Sequence, residues 1–220
     1  MSTEKAMEKL RITEIFHSLQ GEARTVGKPT VFVRLTGCPL RCVYCDTAYA
    51  FTGGMLFTIA DILQTVASWS PRYVCVTGGE PLAQKECWPL LTALCDQGYE
   101  VSLETSGAID VTGVDARVSK VVDLKSPASG EMHRNHLANL ALLSRSDQIK
   151  FVISDAADYQ WAKQQLQEYS LASKVDEVLF SPVHDQLEPA QLAEWILQDR
   201  LPVRLQIQLH KYLWADAAGR

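Results

Sequence analysis

Missing from this chain are any apolar run of about 18 residues, any long basic block and any second closely spaced pair of cysteines. The first absence argues against a membrane-spanning helix, and the charged segment 1–10 lacks the apolar stretch of a signal peptide. The second, with a net charge of −5, leaves no electrostatic footprint for nucleic acid. Neither nucleic acid nor a membrane is therefore an expected partner. No repeat at fixed period, low-complexity tract or obvious linker interrupts the chain either. Its 220 residues, 47% hydrophobic, predict one domain with a substantial core.

What is present is a cluster. Three of the six cysteines lie in Gly37-Cys38-Pro39-Leu40-Arg41-Cys42-Val43-Tyr44-Cys45-Asp46-Thr47, at C-x3-C-x2-C spacing. In an otherwise ordinary composition this points to a reducing, cytoplasmic compartment and to metal rather than disulfides. The alternating apolar run 30–36 reads as a strand, which Gly37 and Pro39 break, so the thiols sit in a loop at its C-terminal end. Cys38, Cys42 and Cys45 suit an iron–sulfur cluster with one iron left open, since the usual complement is four cysteines. A zinc-bearing, non-catalytic module stays open if His17 or Cys75 supplies a fourth ligand. Cys75, Cys87 and Cys95 fall in strand and helix patterns and read as buried small hydrophobes.

Periodicity predicts strands over 11–16, 30–36, 72–76, 100–103, 118–122, 149–153, 178–180 and 203–208. Helices are expected from Thr58 to about Trp69, over 86–97, near 134–143, after Asp155 to about Tyr169, and over 189–199 with Pro189 at the start. Residues 1–9 read as frayed and 52–54 as a flexible connection. Strand–helix alternation predicts a parallel sheet with right-handed crossovers. The cysteines, Thr77–Glu80, Glu104, 123–125, 181–184 and His210 all follow the C-terminal ends of strands, the rim where catalytic groups converge in parallel barrels. The chain is short for eight strand–helix units, so the expected fold is α/β: a partial, open TIM-like barrel of about six parallel strands with reduced helices. By pattern alone Arg34 could face solvent on an edge strand, Tyr44 could be a packing residue, and His210 could be packed or solvated.

The cysteine spacing, with an aromatic before the last cysteine, resembles the signature of radical S-adenosylmethionine enzymes. Glu14-Ile15-Phe16, Ser18-Leu19-Gln20-Gly21-Glu22, Phe32-Val33-Arg34-Leu35, Cys45-Asp46-Thr47, Thr77-Gly78-Gly79-Glu80-Pro81, Glu104-Thr105-Ser106-Gly107 and Gln208-Leu209-His210-Lys211-Tyr212-Leu213 narrow the resemblance to the 7-carboxy-7-deazaguanine synthases. That resemblance implies a 4Fe–4S cluster on Cys38, Cys42 and Cys45, whose fourth iron takes the amino and carboxylate groups of S-adenosylmethionine. It implies cofactor contacts from Tyr44, Cys45, Asp46, Gly79, Asp123, Leu124, Lys125 and Ser181, and Mg2+ on Thr47. Many relatives carry Ser-Pro-Lys where this chain has Asp123-Leu124-Lys125, and the residues 214–220 run past their usual end. The implied substrate is 6-carboxy-5,6,7,8-tetrahydropterin, held by Leu19, Gln20, Gly21, Glu22, Arg34, Thr77, Glu104 and His210. Its radical ring contraction with loss of ammonia yields 7-carboxy-7-deazaguanine, a queuosine precursor. An electron donor such as flavodoxin and a homodimer are implied partners. The single domain then divides into an N-terminal strand and substrate loop (1–29), the partial barrel (30–213) and a tail (214–220). An activase that installs a glycyl radical on a partner protein is the alternative within radical chemistry.

Overall fold

The computed structural model describes residues 9–215, 217 and 219. The expected fraying of 1–9 thus falls almost wholly outside the described residues, as does part of the tail 214–220. Nine strands form one sheet: β1 (Lys9–Leu19), β2 (Pro29–Leu35), β3 (Met55–Thr58), β4 (Tyr73–Gly78), β5 (Glu100–Thr105), β6 (Ser119–Asp123), β7 (Gln148–Ile153), β8 (Glu177–Pro182) and β9 (Arg204–Leu205). Their order is β3-β1-β2-β4-β5-β6-β7-β8-β9. From β2 onward along that order every pairing is parallel; β1 joins β2 and β3 in antiparallel register. The sheet does not close on itself, so the expectation of an open barrel holds, with an antiparallel flap added at one edge.

Helices α1 (Ile59–Ala67), α2 (Cys87–Asp96), α3 (Ala156–Glu168), α4 (Leu171–Lys174), α5 (Pro189–Asp199) and α6 (Leu209–Trp214) complete the fold. None of the helices among the described residues is long and apolar enough to cross a membrane. Period-2 alternation assigns the two faces of each strand. Val31, Val33, Leu35, Val74, Val76 and Leu103 pack outward with Ile62 and Val66 of α1 and Leu90, Leu91 and Leu94 of α2. Ile149, Phe151, Ile153, Val178 and Phe180 pack with Tyr159 and Ala162 of α3 and Leu192 and Ile196 of α5. Inside the curl lies a small apolar cluster, Ala23, Val121 and Leu179. Polar side chains share the rest of the interior with Phe16, Phe32 and Val152.

Thr58 closes α1 with a capping box: it accepts from Asp61 N at 3.1 Å and its own N–H donates to Asp61 Oδ2 at 3.1 Å. Asp155 accepts from Asp158 N at 2.9 Å to start α3. Three expectations fail locally. The helix near 134–143 is replaced by 3₁₀ turns at Met132–Arg134 and Leu137–Ala141. Its asparagines are used as bridges instead: Asn135 pairs with the backbone of Lys125, and Asn139 with that of Ile109 and Val111. The connection after 52–54 continues into β3, paired to β1. The last strand shrinks to Arg204–Leu205, and His210 stands in α6 rather than directly behind a strand.

The loop between β1 and β2 crosses the open side of the barrel. Leu209 N donates to Gly21 O at 3.0 Å, Arg204 Nη2 to Ala23 O at 2.6 Å, and Arg24 N to Gln148 Oε1 at 2.9 Å. The first and last flanks of the sheet are stitched together through this loop.

Candidate active site

At the C-terminal rim lies a cavity of about 400 Å³, the size at which ligand pockets begin. The cysteine loop forms one wall. Gly37 N donates to Ala50 O at 2.8 Å, Glu80 N to Gly37 O at 2.8 Å, and Val43 N to Ser129 O at 3.0 Å, tying the loop to three neighbouring segments. Cys38, Cys42 and Cys45 are half-buried, free, and all face the cavity. Burial pushes the Cys38 and Cys42 thiols up, and Lys125 opposes the rise. Among the described residues no three His, Cys, Asp or Glu side chains converge on a single-ion site. Three thiolates on one loop suit a four-iron cluster with one iron left open. Gly79 completes the cradle: a Cβ there would run into Gly37 O and Cys38 Cβ.

Beside the loop, Lys125 Nζ donates to Asp123 Oδ2 at 2.7 Å. The other oxygen, Asp123 Oδ1, is buried and finds no hydrogen-bond partner among the described residues. A buried acceptor left open beside a thiol loop is what a hydroxyl-bearing cofactor would satisfy. Burial holds Lys125 back, but Asp123, Cys42 and Tyr44 override it and keep its ammonium charged. Tyr44 is pushed up to about 12 by burial and by Asp123. Leu124 and Ser181 differ from the other cofactor assignments. The Leu124 side chain packs into the outer core and Ser181 is buried, and neither lines the cavity. Val183 and His184, just beyond β8, line it instead.

Across the cavity, Glu104 accepts from Gln20 Nε2 at 3.2 Å and from Thr77 Oγ1 at 3.1 Å, joining three substrate candidates in one hydrogen-bonded chain. Glu22 accepts from Lys150 Nζ at 2.6 Å and Gln208 Nε2 at 2.8 Å. Leu19, Gly21 and His210 also line the cavity, and a side chain at Gly21 would collide with the His210 ring. Asp46 accepts from Thr47 Oγ1 at 2.8 Å and Gln208 Nε2 at 3.2 Å. Burial raises the Asp46 carboxyl, yet Thr47, Lys211, Lys150 and Gln208 together bring it below its ordinary value.

Arg34 is no solvent-facing edge residue. β2 lies between β1 and β4, and Arg34 Nε donates to Glu14 Oε1 at 2.7 Å, with side chains 16% and 22% exposed. Tyr49 Oη donates to the same oxygen at 2.8 Å, and the guanidinium lies 5.7 Å from the Phe16 ring centre and 5.8 Å from that of Tyr49. Glu14 and Gln208 stand in the sequence motifs without a site role of their own, and no sequence signal marks Tyr49 or Lys150 as site residues. Cys75 is free and buried, as expected. It faces inward beside Gln20, Ser102 and Glu104, outside both core clusters.

Fold and cysteine loop together define a radical S-adenosylmethionine enzyme, and the family model "Radical SAM superfamily" matches residues 32–125. Full-length relatives narrow this. The chain is 48% identical to the 7-carboxy-7-deazaguanine synthase of Chlorobaculum tepidum over 100% of both chains. It is 43% identical to that of Koribacter versatilis, over 93% of this chain and 97% of the relative. The chain belongs to the 7-carboxy-7-deazaguanine synthase family. The crystal structure of QueE from Escherichia coli shares its fold, with a TM-score of 0.71 at 22% identity, over 96% of this chain and 100% of that one. Membership brings a 4Fe–4S cluster and S-adenosylmethionine as cofactors, and the thiols, the Gly79 cradle and the open Asp123 oxygen fit both.

Proposed function

We propose that this chain converts 6-carboxy-5,6,7,8-tetrahydropterin to 7-carboxy-7-deazaguanine and ammonia, a step toward 7-deazapurines such as queuosine. The observation that carries the reading is the Gln20–Glu104–Thr77 chain and Arg34 sharing one cavity with the three cysteines. A pterin offers alternating donors and acceptors on its pyrimidinone edge and a carboxylate at the far end. Glu104 and Gln20 suit the first, and the guanidinium fork of Arg34 suits the second.

Cys38, Cys42 and Cys45 would hold the cluster; Gly79, Tyr44, Asp46, Asp123 and Lys125 would line the cofactor. When bound, the cluster and S-adenosylmethionine would supply the radical chemistry that hydrogen abstraction from the pterin requires. The protein's share is to bind, orient and keep water out. Arg34, anchored through Nε, keeps its terminal nitrogens for the carboxylate. Glu104, fixed by two donors, orients the ring, and His210 against Gly21 borders the same space. Thr47 would offer an oxygen to Mg2+, which suits a hard cation that retains water. A flavodoxin-like electron donor, a homodimer and one cytoplasmic domain spanning 1–220 extend the same reading, supported by family likeness alone.

Anaerobically reconstituted protein is expected to turn over carboxytetrahydropterin only with S-adenosylmethionine and reductant. Cys42→Ala should lose both turnover and the broad thiolate–iron absorption near ~400 nm. Turnover persisting in that variant refutes the scheme.

A further inference from the structure

Lys150 is a buried charge that the assignments above leave without a role. It stands on β7 between Ile149 and Phe151, which pack outward, so strand alternation turns it into the cavity alongside Val152. Its Nζ lies 2.6 Å from Glu22 Oε2, with the two side chains 16% and 10% exposed. Asp123 on β6, Glu104 on β5 and Asp46 of the cysteine loop face it as well. Glu22 is faced from the other side by Gln208 and by His210 of α6.

We infer that Lys150 is a positioning residue of the pocket: its ammonium keeps Glu22 a carboxylate turned into the cavity, where it accepts from the N–H groups of the aminopyrimidinone edge. This rests on the reading of the cavity as a pterin site. Three carboxylates, Glu22, Glu104 and Asp123, converge here, and a buried carboxylate without a cation takes up a proton. Protonated, Glu22 would present a donor to an edge that offers donors. Burial alone raises the Glu22 carboxyl, and the charge and hydrogen bond of Lys150, with Gln208 and His210, bring it below its ordinary value. The three acids in turn hold the Lys150 proton tightly against the opposing effect of burial. Lys150 is thus a fixed charge and no proton donor. Neither Lys125, bound to Asp123, nor Arg34, bound to Glu14, substitutes for it.

The test is anaerobic calorimetric titration of 6-carboxy-5,6,7,8-tetrahydropterin into cluster-loaded protein with S-adenosylmethionine and no reductant, so that nothing turns over. Lys150→Met should weaken binding at least about tenfold at pH near 6, with the deficit shrinking as pH rises and Glu22 ionises. Histidine titration is common to both proteins, so the variant-to-wild-type ratio is the readout. In a Glu22→Gln background, adding Lys150→Met should change the dissociation constant by less than about threefold. Iron content and affinity for S-adenosylmethionine should match wild type throughout. Wild-type affinity in Lys150→Met, or a pH-independent ratio, overturns the inference. If Lys150→Met fails to fold, the double variant decides, because it removes both charges of the Lys150–Glu22 pair rather than one. Binding close to Glu22→Gln supports the inference, and a further tenfold loss overturns it. A wild-type protein that binds no pterin overturns the functional reading itself, and this inference with it.

Discussion

Arg34 is locked from three sides: Glu14 takes Nε, and the rings of Phe16 and Tyr49 flank the guanidinium. Burial works against its charge, and Tyr49, Glu14 and Glu104 more than restore it. Glu14→Gln should therefore raise KM for the pterin roughly tenfold by loosening the fork, with cluster content unchanged, since charge-assisted bonds contribute about 1.5–3 kcal/mol. Steady-state kinetics checks it, and an unchanged KM would count against Arg34 as the carboxylate ligand. Glu80 supports the rim in a different way. Fully buried, it accepts from Leu82 N at 3.0 Å, Ser106 N at 2.7 Å and the Thr105 hydroxyl at 2.8 Å. Glu80→Ala leaves these donors stranded and should cost about 3 kcal/mol or more in denaturant unfolding. Gln20, Thr77 and Glu104 were legible because each lies in a distinctive local run. Lys150 with Glu22 and Arg34 with Glu14 were not, because a pairing across 128 or 20 residues leaves no local trace.

At the scale of elements, the turn after β4 is the tightest joint. Gly78 has φ +150° and Gly79 passes directly beneath the cysteine loop. Gly79→Ala should displace Gly37 and Cys38, and reconstituted protein should show reduced iron and sulfide by metal analysis. Full cluster occupancy would mean that the loop can yield without loss. Neither Thr58 nor Asp61 of the α1 capping box lines the cavity, so Thr58→Ala should lower stability by about 1 kcal/mol and leave turnover per cluster intact. Element order and both caps could be read from periodicity and cap chemistry. β3 was hidden because Met55 and Leu56 are exposed and follow two glycines. The helix expected near 134–143 fails because Asn135 and Asn139 bond to strand-end loops in preference to their own turn.

Over the whole molecule, carboxylates held by cations and hydrogen bonds set the acid limit. The buried Glu22 and the exposed Asp46 sit below their ordinary values of 4.5 and 3.8, and Glu22 carries most of the effect because solvent screens Asp46. A carboxyl depressed in the folded state contributes stability above its unfolded value and loses it as pH falls through the folded one. Urea midpoints should hold from about pH 7 to 5 and decline below about 4.5, less steeply in Glu22→Gln. A wild-type profile flat down to about pH 3 would contradict this. A barrel was foreseeable from the polar groups repeated at one end of the strands, and its openness from a chain short for eight strand–helix units. Its fastening was not, because the loop from Gly21 to Arg24 reaches β7 and the chain around β9 through backbone groups that every residue carries and through Glu22, whose partners Lys150 and Gln208 are distant in sequence.

That fastening joins two properties that enzymes usually keep apart. Gln20 and Glu22, which would hold the ligand, sit on the same strip of chain that laces one flank of the barrel to the other. Residues 24 and 26–28 of this strip are exposed, so a single protease cut there would release the lacing and the ligand together. A bound pterin should slow that cut, acting as a clasp on the opening as well as a passenger.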